Sequence, residues 1–185
     1  DHGVWQIGSP TAGPSAPHGG SSCAGTLLGG NYPANTDSRL VSPPIDLPAI
    51  VAGESLELRF WQWFQYSGGD FGQVLVSTWS GSEWGEWLAL DKTALSDTSA
   101  IVWSPVHVDL RGHAGQRVRL AFYHEENYVF SSGQVAGWYV DDVEIWKGNP
   151  DWDGTEDFEA GWGNWYVDHG VWQIGSPTAG PSAPH

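Results

Sequence analysis

The sequence predicts an all-β protein built as a two-sheet sandwich. Three observations carry this. Leu56–Phe64 reads LELRFWQWF in strict alternation, with Leu56, Leu58, Phe60 and Phe64 on one face and Glu57, Arg59, Trp61 and Trp63 on the other. Several further alternating segments follow, split by glycine-rich turns. No helix of three turns is evident, and 25 glycines and 12 prolines in 185 residues favour turns over helices. Eight to eleven short strands with such punctuation mean two packed sheets.

The chain begins with DHGVWQIGSPTAGPSAPH at residues 1–18, and residues 168–185 repeat it letter for letter, a period of 167 residues. A repeat this long holds a whole domain, unlike the 20–50-residue unit of a solenoid. The chain thus reads as one full unit and the opening of the next, excised from something longer. Residues 19–33 are turn-rich around Thr26–Leu28. Arg39–Val41 and Ile45–Leu47 are short strands bounded by prolines. Leu56–Tyr66, Gln73–Trp79 and Trp84–Leu90 form the next strands, the last two as a hairpin. Ile101–Leu110 is a strand region interrupted by Pro105. Arg117–His124 and Gly137–Trp146 complete the set, with Tyr139, Asp141, Val143 and Ile145 on one face of the last. Residues 151–156 read as an inter-repeat linker.

The period also bears on domain order. A unit starting after the linker would open with Asp157–Tyr166, DFEAGWGNWY, yet this chain carries that segment at its C-terminal end. The expected domain is therefore circularly permuted. Residues 19–150 form its body, 1–18 are a copy that is seated, displaced or swapped, and 157–185 complete this molecule or a neighbouring one as a strand-swapped oligomer.

Composition narrows the partners. With 22 acidic and 7 basic residues the formal net charge is −15, and no basic patch exists to neutralise nucleic-acid phosphates. Cys23 is the single cysteine, which excludes an intrachain disulfide. No apolar run reaches the roughly 18 residues of a membrane span, so insertion is not expected. An excess of carboxylates suits bound calcium, salty surroundings or simple solubility.

Two sets of side chains stand out. The 13 tryptophans exceed what a core of this size needs. Trp61, Trp63 and Arg59 share the outward face of the Leu56–Phe64 strand, and Trp79, Trp84 and Trp87 follow. Exposed rings stack on sugars or anchor proteins; the plainer alternative is that this face lies under other structure. Asp141 and Asp142 are adjacent in an otherwise apolar strand, so one points inward, and a buried carboxylate is costly unless paired or bound to metal. Asp37 and Asp70 are loop candidates for the same ion. The alternative is that Asp141 bonds a nearby turn and Asp142 is solvated. No HExxH occurs and no GxSxG stands in a strand-turn-helix setting, so no catalytic residues are expected.

Taken in rotated order, DFEAGWGNW, VWQIGSPTAGP, GTLLGGNYP, SRLVSPPIDL, LRFWQWF, DFGQVLVS, VDLRGHAGQRVRLAFYH and GWYVDDVEIW resemble the MAM-like jelly-roll modules of bacterial secreted and surface proteins. These include the cleaved-adhesin and anchor-associated types and the C-terminal modules of immune-inhibitor-like metallopeptidases. The resemblance implies a jelly-roll sandwich, secretion or surface display, structural calcium, and attachment of a multidomain protein to cell surfaces, matrix proteins or glycans. It places Glu159, in the first strand, near enough to Asp141 or Asp142 to share a calcium. The expected function is a non-catalytic, calcium-stabilised module that binds carbohydrate, with cell-surface or protein adhesion and a structural spacer as the alternatives.

Overall fold

The computed structural model describes residues 3–90, 95–96, 99–126, 135–149, 156–163, 165, 167 and 172–176. Eleven strands lie among them: β1 (Gln6–Gly8), β2 (Cys23–Gly25), β3 (Asp37–Val41), β4 (Ile45–Asp46), β5 (Ser55–Gln65), β6 (Phe71–Thr78), β7 (Leu88–Ala89), β8 (Leu95–Ser96), β9 (Ser99–Asp109), β10 (Arg117–Glu125) and β11 (Gly137–Gly148). They form two sheets. The first runs β1-β2-β11-β5-β9; the second runs β3-β10-β6-β7, with β4 on β10 and β8 on β6. Every pairing is antiparallel. This is an all-β, jelly-roll-like sandwich.

The core follows from the alternation. Leu56, Leu58, Phe60 and Phe64 of β5, Val74 and Val76 of β6, and Val118, Leu120 and Phe122 of β10 are all buried between the sheets with Trp138 and Val140 of β11. Strand residues of even spacing share a face, so each strand contributes one apolar row. Phe60, Phe122 and Trp138 meet edge to face, with ring centroids 5.0–6.4 Å apart, the arrangement that their quadrupoles favour.

Two sequence expectations change. Pro105 does not interrupt β9; it pairs in register with Trp61. The first sheet ends at β9, and an edge strand tolerates a residue without an N–H. The faces of β11 also do not alternate throughout. Asp141 opposes Trp61 while Glu144 opposes Arg59, so three steps on β11 span two on β5. This bulge, with Asp142 at φ 48°, reverses the parity. Tyr139 lies on the outer side with Trp63, whereas Ile145 packs against the inner core.

The first copy of the repeated stretch is part of the sandwich. Its β1 extends the first sheet, and Trp5 enters the core, with its indole N–H donating to the Ser38 carbonyl at 3.4 Å. Of the expected first strand, Asp157–Tyr166, the described residues form turns rather than a strand.

Candidate functional site

The two outer faces of the sandwich differ. On the first sheet, residues 9–18 run as a strap across the face that carries Trp61 and Trp63. Thr11 and Ala12 donate their N–H groups to the Leu28 carbonyl at 2.7 and 3.0 Å. At Gly13, φ is +75° and an added Cβ would lie 2.6 Å from the Tyr139 ring, so only glycine lets the strap lie this close. Ala16 accepts a hydrogen bond from the Trp103 indole at 3.0 Å. His18 stacks on Trp61 with ring centroids 3.7 Å apart.

The strap ends on the bulge of β11. The His18 ring bonds the Asp142 carboxylate at 2.7 Å, and Asp141 accepts the backbone N–H groups of His18 and Gly19 at 2.9 and 3.0 Å. The alternative reading has Asp141 bonding a turn and Asp142 solvated; Asp141 does bond the turn at His18 and Gly19, and Asp142 is held by the His18 ring. Trp63 is buried against Tyr139, Cys23 and Ala136. Burial pushes the Cys23 thiol up to about 11, so it is an inert packing group. Arg59 is held by Glu57 at 2.8 Å and lies over the Trp146 ring at 3.7 Å. His107 approaches the same Glu57 at 3.2 Å, and burial, with Arg59 beside it, lowers its pKa. Trp61, Trp63 and Arg59 are therefore covered or engaged, and this face presents no open platform there.

The outer face of the second sheet is built differently. β10 turns Arg119 and Tyr123 outward, β3 turns Arg39 outward, and β6 contributes Phe71. Trp79 and Trp84 face each other across a bridged turn, with centroids 5.2 Å apart. The Arg119 guanidinium lies 4.1 Å from the Trp84 centroid and 5.4 Å from that of Trp87; Arg39 lies 5.8 Å from Trp87 and 5.5 Å from Tyr123. Phe71 then meets Tyr123 edge to face at 5.7 Å. Rings and cations alternate along one row.

Beneath this row Leu75, Ser77 and Ala121 are buried although they face outward. The rings above are half-exposed. Each cation–π contact of this kind contributes about 0.5–1 kcal/mol at an exposed site. Among the described residues neither Arg39 nor Arg119 has a carboxylate within ion-pair distance, and the Arg119 Nε donor is buried without an acceptor. Tyr123 donates to Glu125 at 2.5 Å, so a carboxylate flanks the row at one end.

Three of the six aromatic-face residues expected from sequence, Trp79, Trp84 and Trp87, thus belong to this row. Arg39, Arg119, Tyr123 and Phe71 were missed. The outward register of RVRLAFYH, with Arg119 and Tyr123 on one side, was the signal for two of them.

The expected calcium ligands are dispersed. Asp141 and Asp142 carry the strap. Asp37 opens β3 and is exposed. Asp70 is fully buried and accepts the Tyr32 hydroxyl at 2.5 Å. Glu159 is exposed, with its N–H on the Asp157 carboxylate at 3.0 Å. Among the described residues no group of three or more His, Cys, Asp or Glu side chains is gathered as a metal site requires.

No family model matches the chain, and no curated protein matches it. Solved structures do. The K2 cleaved adhesin domain of Lys-gingipain aligns with a TM-score of 0.52 at 17% identity, over 80% of this chain and 84% of that one. The K1 cleaved adhesin domain of Lys-gingipain from Porphyromonas gingivalis W83 gives 0.48 at 22%, over 78% and 84%. The carbohydrate-binding module TmCBM61, solved with β-1,4-galactotriose, gives 0.45 at 15%, over 80% and 91%. Among the described residues no helix is long and apolar enough to cross a membrane. What the K2 domain and this chain share is the sandwich fold.

Proposed function

We propose that the chain is a non-catalytic, extracellular adhesion module that engages a cell-surface or matrix protein through the outer face of its second sheet. The observation that carries this is the row Trp84–Arg119–Trp87–Arg39–Tyr123. Trp, Tyr and Arg are the residues that dominate protein interfaces. The two arginines stand without carboxylate partners among the described residues, in a chain of net charge −15. Both features suit a target that presents aromatic or acidic side chains.

Carbohydrate binding is the second reading, and half-exposed Trp87 favours it. A sugar stacks on an open ring face. The guanidinium 4.1 Å from the Trp84 centroid competes for that face, whereas Trp87 has its cations at 5.4 Å and beyond. The display of such modules on neighbouring repeats is part of both readings.

Binding of the fluorescent full chain to immobilised cell-surface proteins and to a glycan array tests them together. The adhesion reading expects protein binding that falls about tenfold or more in Arg119→Ala and in Trp87→Ala. Glycan binding that needs Trp87 but not Arg119 replaces it with the second reading. Binding that neither variant changes overturns both.

Calcium is proposed on the family resemblance, with Glu159 and Asp141 or Asp142 sharing one ion and Asp37 and Asp70 as further donors. It expects a higher melting temperature in millimolar calcium than in excess chelator. Coincident melting curves reject it.

A further inference from the structure

Among the described residues the sandwich is open along one side, where β1 at the edge of the first sheet and β3 at the edge of the second line one groove. β3 pairs with β10 on one flank, and among the described residues no strand pairs with its other flank. β1 likewise ends the first sheet. Between them runs a groove of about 760 Å³, lined by Gly3, Trp5 and Ile7 on one wall and by residues 37–41 of β3 on the other. Its rim is apolar. Ile7 is 76% exposed and Val41 42%. An unpaired edge beside exposed apolar side chains is a template for another strand.

The 167-residue period identifies a candidate for that strand. Residues 157–167, DFEAGWGNWYV, directly precede Asp168, the counterpart of Asp1. In a head-to-tail array the chain that arrives at Gly3, on the wall of the groove, comes from a segment of that sequence. The segment is rich in groups that a groove would bury. Phe158 and Trp165 are 40% and 42% exposed, and Trp162 lies beside them at an open hollow. Eleven extended residues span roughly 36 Å, against roughly 17 Å for the five residues of β3, so length is not limiting.

We propose that the free edge of β3 and its groove take residues 157–167 of a second copy of this chain as an added strand. Backbone N–H and C=O groups of β3 supply the affinity, and Phe158, Trp162 and Trp165 fill the groove beside Trp5 and Ile7. Each copy offers one edge and one segment, so the contact is head-to-tail and extends into chains or closes into a ring. Arg39 belongs both to the groove and to the target-binding row, whereas the donated segment lies outside that row, so F158D/W162D separates the two readings.

The test is light scattering of the full chain from micromolar to millimolar concentration. The expected result is a mass that rises from monomer to multiples, and that returns to monomer when a free peptide of sequence DFEAGWGNWYV is added in excess. The double variant F158D/W162D, altered only in the donated segment, is expected to stay monomeric with an unchanged melting temperature. Val41→Glu, on the receiving edge, is also expected to stay monomeric. Mixing it with F158D/W162D restores a heterodimer, since one partner keeps an intact edge and the other an intact segment. A monomer at every concentration overturns the proposal, as does association that persists in both variants and in excess peptide.

Discussion

Trp5 and Trp172 hold the same place in two copies of one 18-residue sequence, yet Trp5 is 7% exposed and Trp172 is 73% exposed. The first ring sits 6.1 Å from Trp138 in the core. The second lines an open hollow of about 770 Å³ with Phe158, Trp162 and Trp165. Gly8 and Gly175 share a similar φ, 157° and 150°, yet the two stretches differ in burial and in strand pairing. Identical local propensity gives a strand in one place and none in the other because β1 is held by partners: β2 beside it, Ser38 over Trp5, and the strap after it. Strand formation here is a property of the slot.

The sharpest way to break the comparison is to truncate each tryptophan. Trp5→Ala removes a buried ring from a close-packed core and is expected to cost about 3–5 kcal/mol. Trp172→Ala is expected to lie within about 0.5 kcal/mol of the parent, as exposed sites do. Denaturant titration reads both. Equal losses would mean that the second copy is seated too.

The next largest effect acts on the sandwich that holds the first copy. His124 is fully buried, with Nε2 3.1 Å from the Thr36 hydroxyl and Nδ1 2.9 Å from the Tyr66 hydroxyl. Thr36 already donates to the Pro33 carbonyl. It therefore accepts from Nε2–H, which leaves Nδ1 to accept from Tyr66. Protonation would set a new N–H against the Tyr66 hydroxyl. Burial lowers the His124 pKa from 6.5 to about 4. The unfolded chain takes the proton first, so stability is full above pH 6.5, falls as pH drops towards 4, and levels off below. The loss attributable to this one group is of order 3 kcal/mol. A His124→Gln variant is expected to flatten that part of the profile, measured as denaturant midpoint against pH. An unchanged slope in the variant would assign the acid sensitivity to the carboxylates.

How far the sequence was legible depends on period and on register. Strands β5, β6 and β10 each bury one alternating row, so their faces were readable, as was the hairpin at Trp79–Trp84. The bulge in β11 was not, because one extra residue leaves no mark in a pattern that already contains two adjacent aspartates. The strap was hidden for another reason. Residues 9–18 are small, polar and proline-rich, like any loop, and only their contacts with Tyr139, Trp103 and Trp61 show that they cover a face. That cover is why Trp61, Trp63 and Arg59, the most visible aromatic signal, lie on the closed side. The arginines of the open side were obscured because cation and ring are brought together from β3, β10 and the β6–β7 connection, which are far apart in sequence.

The strap supplies two smaller tests of why one copy is seated. Gly13→Ala puts a Cβ against the fully buried Tyr139 ring at a left-handed backbone position, and is expected to cost roughly 2–3 kcal/mol. His18→Ala removes the stack on Trp61 and the bond to Asp142. That bond is half-exposed and screened, so the expected loss is only about 0.5–1 kcal/mol. The same variant should uncover Trp61, read as faster quenching of tryptophan emission by acrylamide. A His18→Ala chain with unchanged quenching would mean that the strap is held by Gly13 and Ala16 alone. A chain that loses several kcal/mol would instead make the Asp141–Asp142 bulge the anchor on which the seated copy depends.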